Sequence, residues 1–89
     1  MVRYAYWIQG TLGLANLKTG IAVRPEDDTL EQVAVFARQQ CYIGSVPGMP
    51  AFVRLWHAPD SNAFNYEDLG DPIFAEWVNE NGICDPPTE

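Results

Sequence analysis

Basic residues are scarce in this chain: Arg3, Lys18, Arg24, Arg38 and Arg54 are the five among 89 residues, and none follows Arg54. Nucleic-acid recognition needs clustered cations, so a chain with a formal charge of −7 is not expected to bind nucleic acid directly. Cysteine and histidine are scarcer still, with Cys41, Cys84 and His57 alone. Neither a Cys-x-x-Cys nor a His-x-x-x-His pair exists, which removes the usual zinc spacings. Gly10-Thr-Leu-Gly13 lacks the lysine and further glycine of a phosphate loop. We therefore expect no metal and no cofactor. Apolar runs fall well short of the ~18 residues a membrane span needs. The first residues also lack the basic segment and apolar stretch of a signal peptide. A cytoplasmic protein without membrane association is expected, with both cysteines as free thiols.

What is present is acidity, and it is unevenly placed. Residues 1–59 carry five basic and four acidic side chains, a net of +1, whereas residues 60–89 carry eight acids and no lysine or arginine, a net of −8. One third of the chain holds the whole negative field. Such a field attracts a basic partner and speeds encounter in a salt-dependent way, although acidity also serves solubility.

Val2-Arg-Tyr-Ala-Tyr-Trp-Ile-Gln9 is rich in aromatic and β-branched residues and reads as a strand. Lys18-Thr-Gly20 reads as a hairpin turn, and Ile21-Ala-Val-Arg24 as the returning strand, stopped by Pro25. Thr29 followed three residues later by Gln32 matches a capping box, and Leu30, Val33, Ala34, Ala37 and Cys41 form one helical stripe. A helix over about residues 30–42 follows, and it explains the acids at Glu26, Asp27 and Asp28, which favour a helix's positive end. Ala51-Phe-Val-Arg-Leu-Trp-His57 alternates as a third strand, and residues 63–66 read as a short fourth. Asp71-Pro72 then resembles a cap with proline at the first helical position. Ile73, Phe74, Trp77 and Val78 supply the buried side of a second helix ended by Gly82. The expected fold is α+β: a four-stranded antiparallel sheet with two helices in the order ββαββα. Residues 1–84 form one domain and 85–89 a frayed tail.

No arrangement in this sequence carries catalysis convincingly. His57, Asp60 and Ser61 crowd one turn without a glycine-rich oxyanion loop, and Cys41 and His57 end different elements. The chain is therefore not expected to be an enzyme. The sheet's second face is more informative. If Tyr4, Tyr6, Ile8, Ile21, Val23, Val53 and Leu55 pack under the helices, then Arg3, Trp7, Phe52, Arg54 and Trp56 lie opposite. Aromatic rings interleaved with arginine suit a protein interface, self-association included, unless the second helix covers them.

The ββα pattern of residues 2–41 and the acidic segment 60–89 together resemble the small phage-encoded inhibitors of bacterial defence, of the anti-CRISPR and antirestriction type. This resemblance is one of size, charge and pattern, without a shared motif. It implies a non-enzymatic protein in the host cytoplasm that occludes the nucleic-acid-binding surface of a CRISPR effector complex or restriction enzyme, with carboxylates standing where phosphates bind. Docking on the partner's basic surface is then expected through Glu67, Asp68, Asp71, Glu76 and Glu80, with Tyr66 and Trp56 as apolar anchors. Asp71 doubles as a helix cap, and Trp77 is expected in the core. The alternative is a homodimer or larger structural assembly joined through the aromatic sheet face.

Overall fold

Alternation along the first strand decides the layout of the molecule. In the computed structural model, which describes residues 1–10, 17–41, 50–61 and 63–86, β1 (Val2–Gly10) lies at the interior of a five-stranded antiparallel sheet. Its neighbours are β2 (Leu17–Arg24) on one side and β3 (Ala51–His57) on the other. β4 (Phe74–Asn79) and the two-residue β5 (Gly82–Ile83) extend the sheet beyond β3, giving the order β2-β1-β3-β4-β5. Both β2 and β3 run antiparallel to β1, so they are parallel to each other, and α1 (Leu30–Cys41) carries the chain across β1 between them.

The helix begins as its sequence implies. Thr29 Oγ1 accepts the Gln32 N–H at 3.1 Å, and Gln32 Oε1 accepts the Thr29 N–H at 2.8 Å, which completes a reciprocal capping box. Val33, Ala34 and Ala37 are fully buried against Tyr4, Ile8, Ala51, Val53, Leu55, Phe74 and Val78, with Leu30 packed at the margin. Small residues at 34 and 37 let the helix sit close to the sheet. Gln39 and the capping Gln32 stay exposed on its outer side. Glu31 reaches across to the sheet's edge, where its Oε2 accepts the Ile83 N–H at 2.9 Å. That bond occupies a donor on the short edge strand, where an open amide would otherwise invite another strand.

The expected four-stranded, two-helix order ββαββα is not what forms. There is one α-helix among the described residues, and the sheet has five strands. The segment expected to be the second helix is β4, a turn and β5. Its apolar spacing fits either period, because Phe74 and Val78 are four apart, a separation that shares a face in a helix and in a strand. Trp77 separates the two cases: it lies on the opposite face from Phe74 and Val78 and pairs across β3 with Phe52. Pairing with β3 also satisfies backbone groups along a whole ladder. An isolated helix of about ten residues is marginal in water.

The expected strand at 63–66 is also absent: residues 63–65 are irregular and Tyr66–Leu69 form a single 3-10 turn. Lys18, Thr19 and Gly20 lie within β2 rather than in a turn. Gly20 is required there for space, because a Cβ would overlap the Tyr6 ring lying over it. β2 is also out of phase with the expectation. Ala22 pairs with Tyr4 on the helix side, which puts Ile21 and Val23 on the second face. Gly13 and residues 42–49 lie outside the described residues. So does most of the expected tail 85–89, of which Asp85 and Pro86 are described and exposed.

Thr29→Ala removes one arm of the capping box and is expected to lower unfolding free energy by about 1 kcal/mol, measured by urea denaturation.

Candidate partner-binding face

Among the described residues the one α-helix covers one face of the sheet. The other is crossed by a strap, residues 58–61 and 63–73. Both of its ends are tied to strands: the Ala58 N–H donates to the Arg3 carbonyl at 2.9 Å and the Ile73 N–H to the Leu55 carbonyl at 2.8 Å. Between them, the Trp56 indole N–H donates to the Gly70 carbonyl at 3.0 Å. Gly70 has φ +76°, a conformation open to glycine at little cost.

Tyr66 fixes the middle of the strap. Its hydroxyl accepts the Gly20 N–H at 3.1 Å and donates to the Tyr6 carbonyl at 2.9 Å, with the Gly20 carbonyl also in reach at 3.2 Å. One phenol thus joins the strap to a facing residue pair of β1 and β2. Its ring meets Trp56 at 5.4 Å and Trp7 at 6.2 Å, both edge-on, and Phe64 at 5.3 Å. Edge-on contacts of this kind add about 0.5–1.5 kcal/mol each beyond the area they bury.

The ring contacts continue past the strap. Arg54 lays its guanidinium over Trp7 at 4.9 Å and Phe52 at 5.0 Å, and Phe52 meets Trp77 at 5.4 Å. A continuous row therefore runs from Phe64 and Tyr66 through Trp7, Arg54 and Phe52 to Trp77. Trp7, Phe52, Arg54 and Trp77 are each half-buried, and Ala75, the register partner of Arg54, is exposed. Among the described residues Arg54 has no carboxylate partner.

The expected contact residues do not converge on one patch. Glu67 and Asp68 are exposed in the 3-10 turn directly after Tyr66, and Asp71 is exposed next to Gly70, so these three belong to the strap. Asp71 caps no helix, since the element that follows it is β4. Glu76 pairs in register with Val53 and so lies on the helix side of the sheet, exposed. Glu80 sits in the β4–β5 turn and lines a trough of about 520 Å3 beside α1, with Arg24, Asp28, Glu31 and Phe36 among its walls. Met1 and Glu26 form one ion pair and Arg24 and Asp28 another; among the described residues none of the five carboxylates joins a salt bridge. Trp56, expected as an anchor, is 5% exposed beneath Tyr66, so it supports the strap from below. Trp77, expected in the core, reaches the surface. The signal that would have found it is the alternation Phe74, Glu76, Val78 read as a strand.

Comparison with protein-family models, curated proteins and solved structures finds no match. The face must be read from its own chemistry.

Aromatic rings and arginine are side-chain types enriched in protein contact surfaces, and here they share one face with exposed carboxylates. His57 is exposed and stacked on Tyr4 at 5.6 Å, on the helix side of the sheet. Among the described residues no three His, Cys, Asp or Glu side chains cluster as metal ligands. Cys84 is a free, half-buried thiol, while the Cys41 side chain lies outside the described residues. Burial, and then the charge of Asp85, push the Cys84 thiol above its ordinary range, against smaller opposing effects of Arg38 and a backbone bond at Asn79.

Two measurements test this geometry. Tyr66→Phe keeps the ring and loses the hydroxyl, so stability should fall by about 1 kcal/mol in urea and the Gly20 amide should exchange faster with solvent. At neutral pH Cys84 should alkylate more slowly than glutathione. Asp85→Asn should speed it by about twofold, read on the Cys84 peptide by mass spectrometry.

Proposed function

We propose that this protein is a non-enzymatic binding module that docks on a basic surface of a partner protein through the strap and the second sheet face. The observation that carries the reading is the state of Glu67 and Asp68. Both are exposed and free of salt bridges among the described residues, and they stand on a turn held to the sheet by Tyr66. Carboxylates on an anchored turn meet a cation with little further loss of conformational freedom. The −8 charge of residues 60–89 would raise the encounter rate with a positive surface.

In its specific form, the partner is a nucleic-acid-handling defence complex in a bacterial cytoplasm, and the strap carboxylates occupy phosphate positions on it, as an anti-CRISPR or antirestriction inhibitor would. The charge distribution supports this form, because the surface that binds nucleic acid is the most basic one such a complex offers. No helix among the described residues is long and apolar enough to cross a membrane.

Affinity capture from bacterial lysate, with nuclease present and at two salt concentrations, tests the reading. A salt-sensitive protein partner should be retained by the unmodified chain and by the Glu76→Lys/Glu80→Lys variant. Glu67→Lys/Asp68→Lys should slow association by about tenfold and flatten its salt dependence. Recovery of the chain alone as a defined oligomer would replace this reading with self-assembly through the same face.

A further inference from the structure

The binding reading leaves open what occupies the half of the second face that the strap does not reach. We propose that Phe52 and Trp77, with Arg54 beside them, form the apolar centre of the docking surface. The partner segment it takes carries an aliphatic side chain flanked by lysine or arginine. This rests on the reading above and adds to it the partner's local chemistry.

The placement of charge on this face carries the argument. The carboxylates Glu67, Asp68 and Asp71 all belong to the strap, at one end of the ring row. The other end, Phe52 and Trp77, has no acid on the same face of β3 or β4, because Glu76 points to the helix side. Arg54 lies between the two ends, stacked on Trp7 and Phe52 and without a carboxylate partner among the described residues. A cation placed over Phe52 and Trp77 would therefore meet the positive charge of Arg54 and no acid of β3 or β4. Cations of the partner belong over the strap, and what settles on the two rings is uncharged.

Shape agrees with this. Ala75 stands across from Arg54 in the register and projects only a methyl group, with Trp77 two residues on along the same face of β4. A methyl group at position 75 leaves Trp77 without a large side-chain neighbour at that place on the face. Half-buried tryptophan and arginine are the side chains that most often carry binding energy when a partner removes the remaining water. The unused N–H donors of Arg54 can then take a carbonyl of the bound segment.

Two synthetic peptides test the assignment without knowledge of the natural partner: Ac-Lys-Lys-Leu-Lys-Lys-NH2 and its counterpart with serine at the centre. Each is titrated into the isotope-labelled protein and followed by NMR. The leucine peptide should shift the Trp77 indole resonance and bind about fivefold more tightly than the serine peptide. Trp77→Ala should erase that difference, and Trp77→Leu, which keeps an apolar side chain on the strand, should restore part of it. Glu67→Lys/Asp68→Lys should weaken both peptides alike. Equal affinity of the two peptides, or a Trp77 resonance that stays in place, overturns the apolar centre and leaves the acidic docking reading standing. Failure of both peptides to bind overturns both.

Discussion

The hydroxyl of Tyr66 meets the carbonyl of Tyr6 across a sequence separation of 60 residues, and the second face of the sheet is organised around that contact. Among its described residues the strap contributes no strand of its own, and few of their backbone bonds reach the sheet. It depends on a phenol that satisfies groups on two strands at once, and on a tryptophan N–H that holds Gly70. Gly20 belongs to the same device. Without a side chain, it lets the Tyr6 ring lie over it on one side while its N–H and carbonyl remain within reach of Tyr66. Substituting any of the three residues disturbs the other two, so additive effects are not expected among them.

The charge distribution acquires its meaning from this arrangement. Read along the chain, residues 60–89 are a single acidic block. In space its described carboxylates divide among the strap, the helix side of β4, the β4–β5 turn beside α1, and Asp85 beyond β5. Carboxylates more than about a Debye length apart act on a partner almost independently in physiological salt. A docking surface built from all five expected residues would have to wrap around the sheet. One built from Glu67, Asp68 and Asp71 needs only the strap.

How far the fold could be read in the sequence depended on whether each local signal admitted one period or two. Thr29 and Gln32 specify a helix start by side-chain chemistry that strands do not use, and α1 forms where they place it. Ala51 to His57 alternates in seven consecutive residues and forms β3 over that span. Phe74, Trp77 and Val78 satisfy both periods, and what decides between them is the neighbouring strand, which the segment itself does not encode. The same holds for β2. Its side-chain phase follows from pairing Gly20 with Tyr6, a contact invisible to local alternation. On the candidate face, Arg54 and Phe52 were legible as second-face residues because β3 was. Trp56 was placed on the correct face but not beneath the strap, since nothing in residues 58–73 announces that they fold back across the sheet.

Among the described residues one helix packs on this five-stranded sheet, and the second face is in part covered and in part open to water. Ala5 and Trp56, nearest the strap, are buried to 0% and 5% exposure. Farther along, Phe52 and Trp77 retain access to water. The strap is ill-suited to cover them. It carries Glu67 and Asp68 on its outer side, and drawing these carboxylates inward over two aromatic rings would strip them of hydration at a cost of several kcal/mol per charge. Arg54 offers one countercharge and already stands over Trp7 and Phe52. The acidity that keeps the strap at the surface therefore also keeps the ring pair open beside it. An apolar centre with an acidic margin arises from the same constraint that closes the rest of the face.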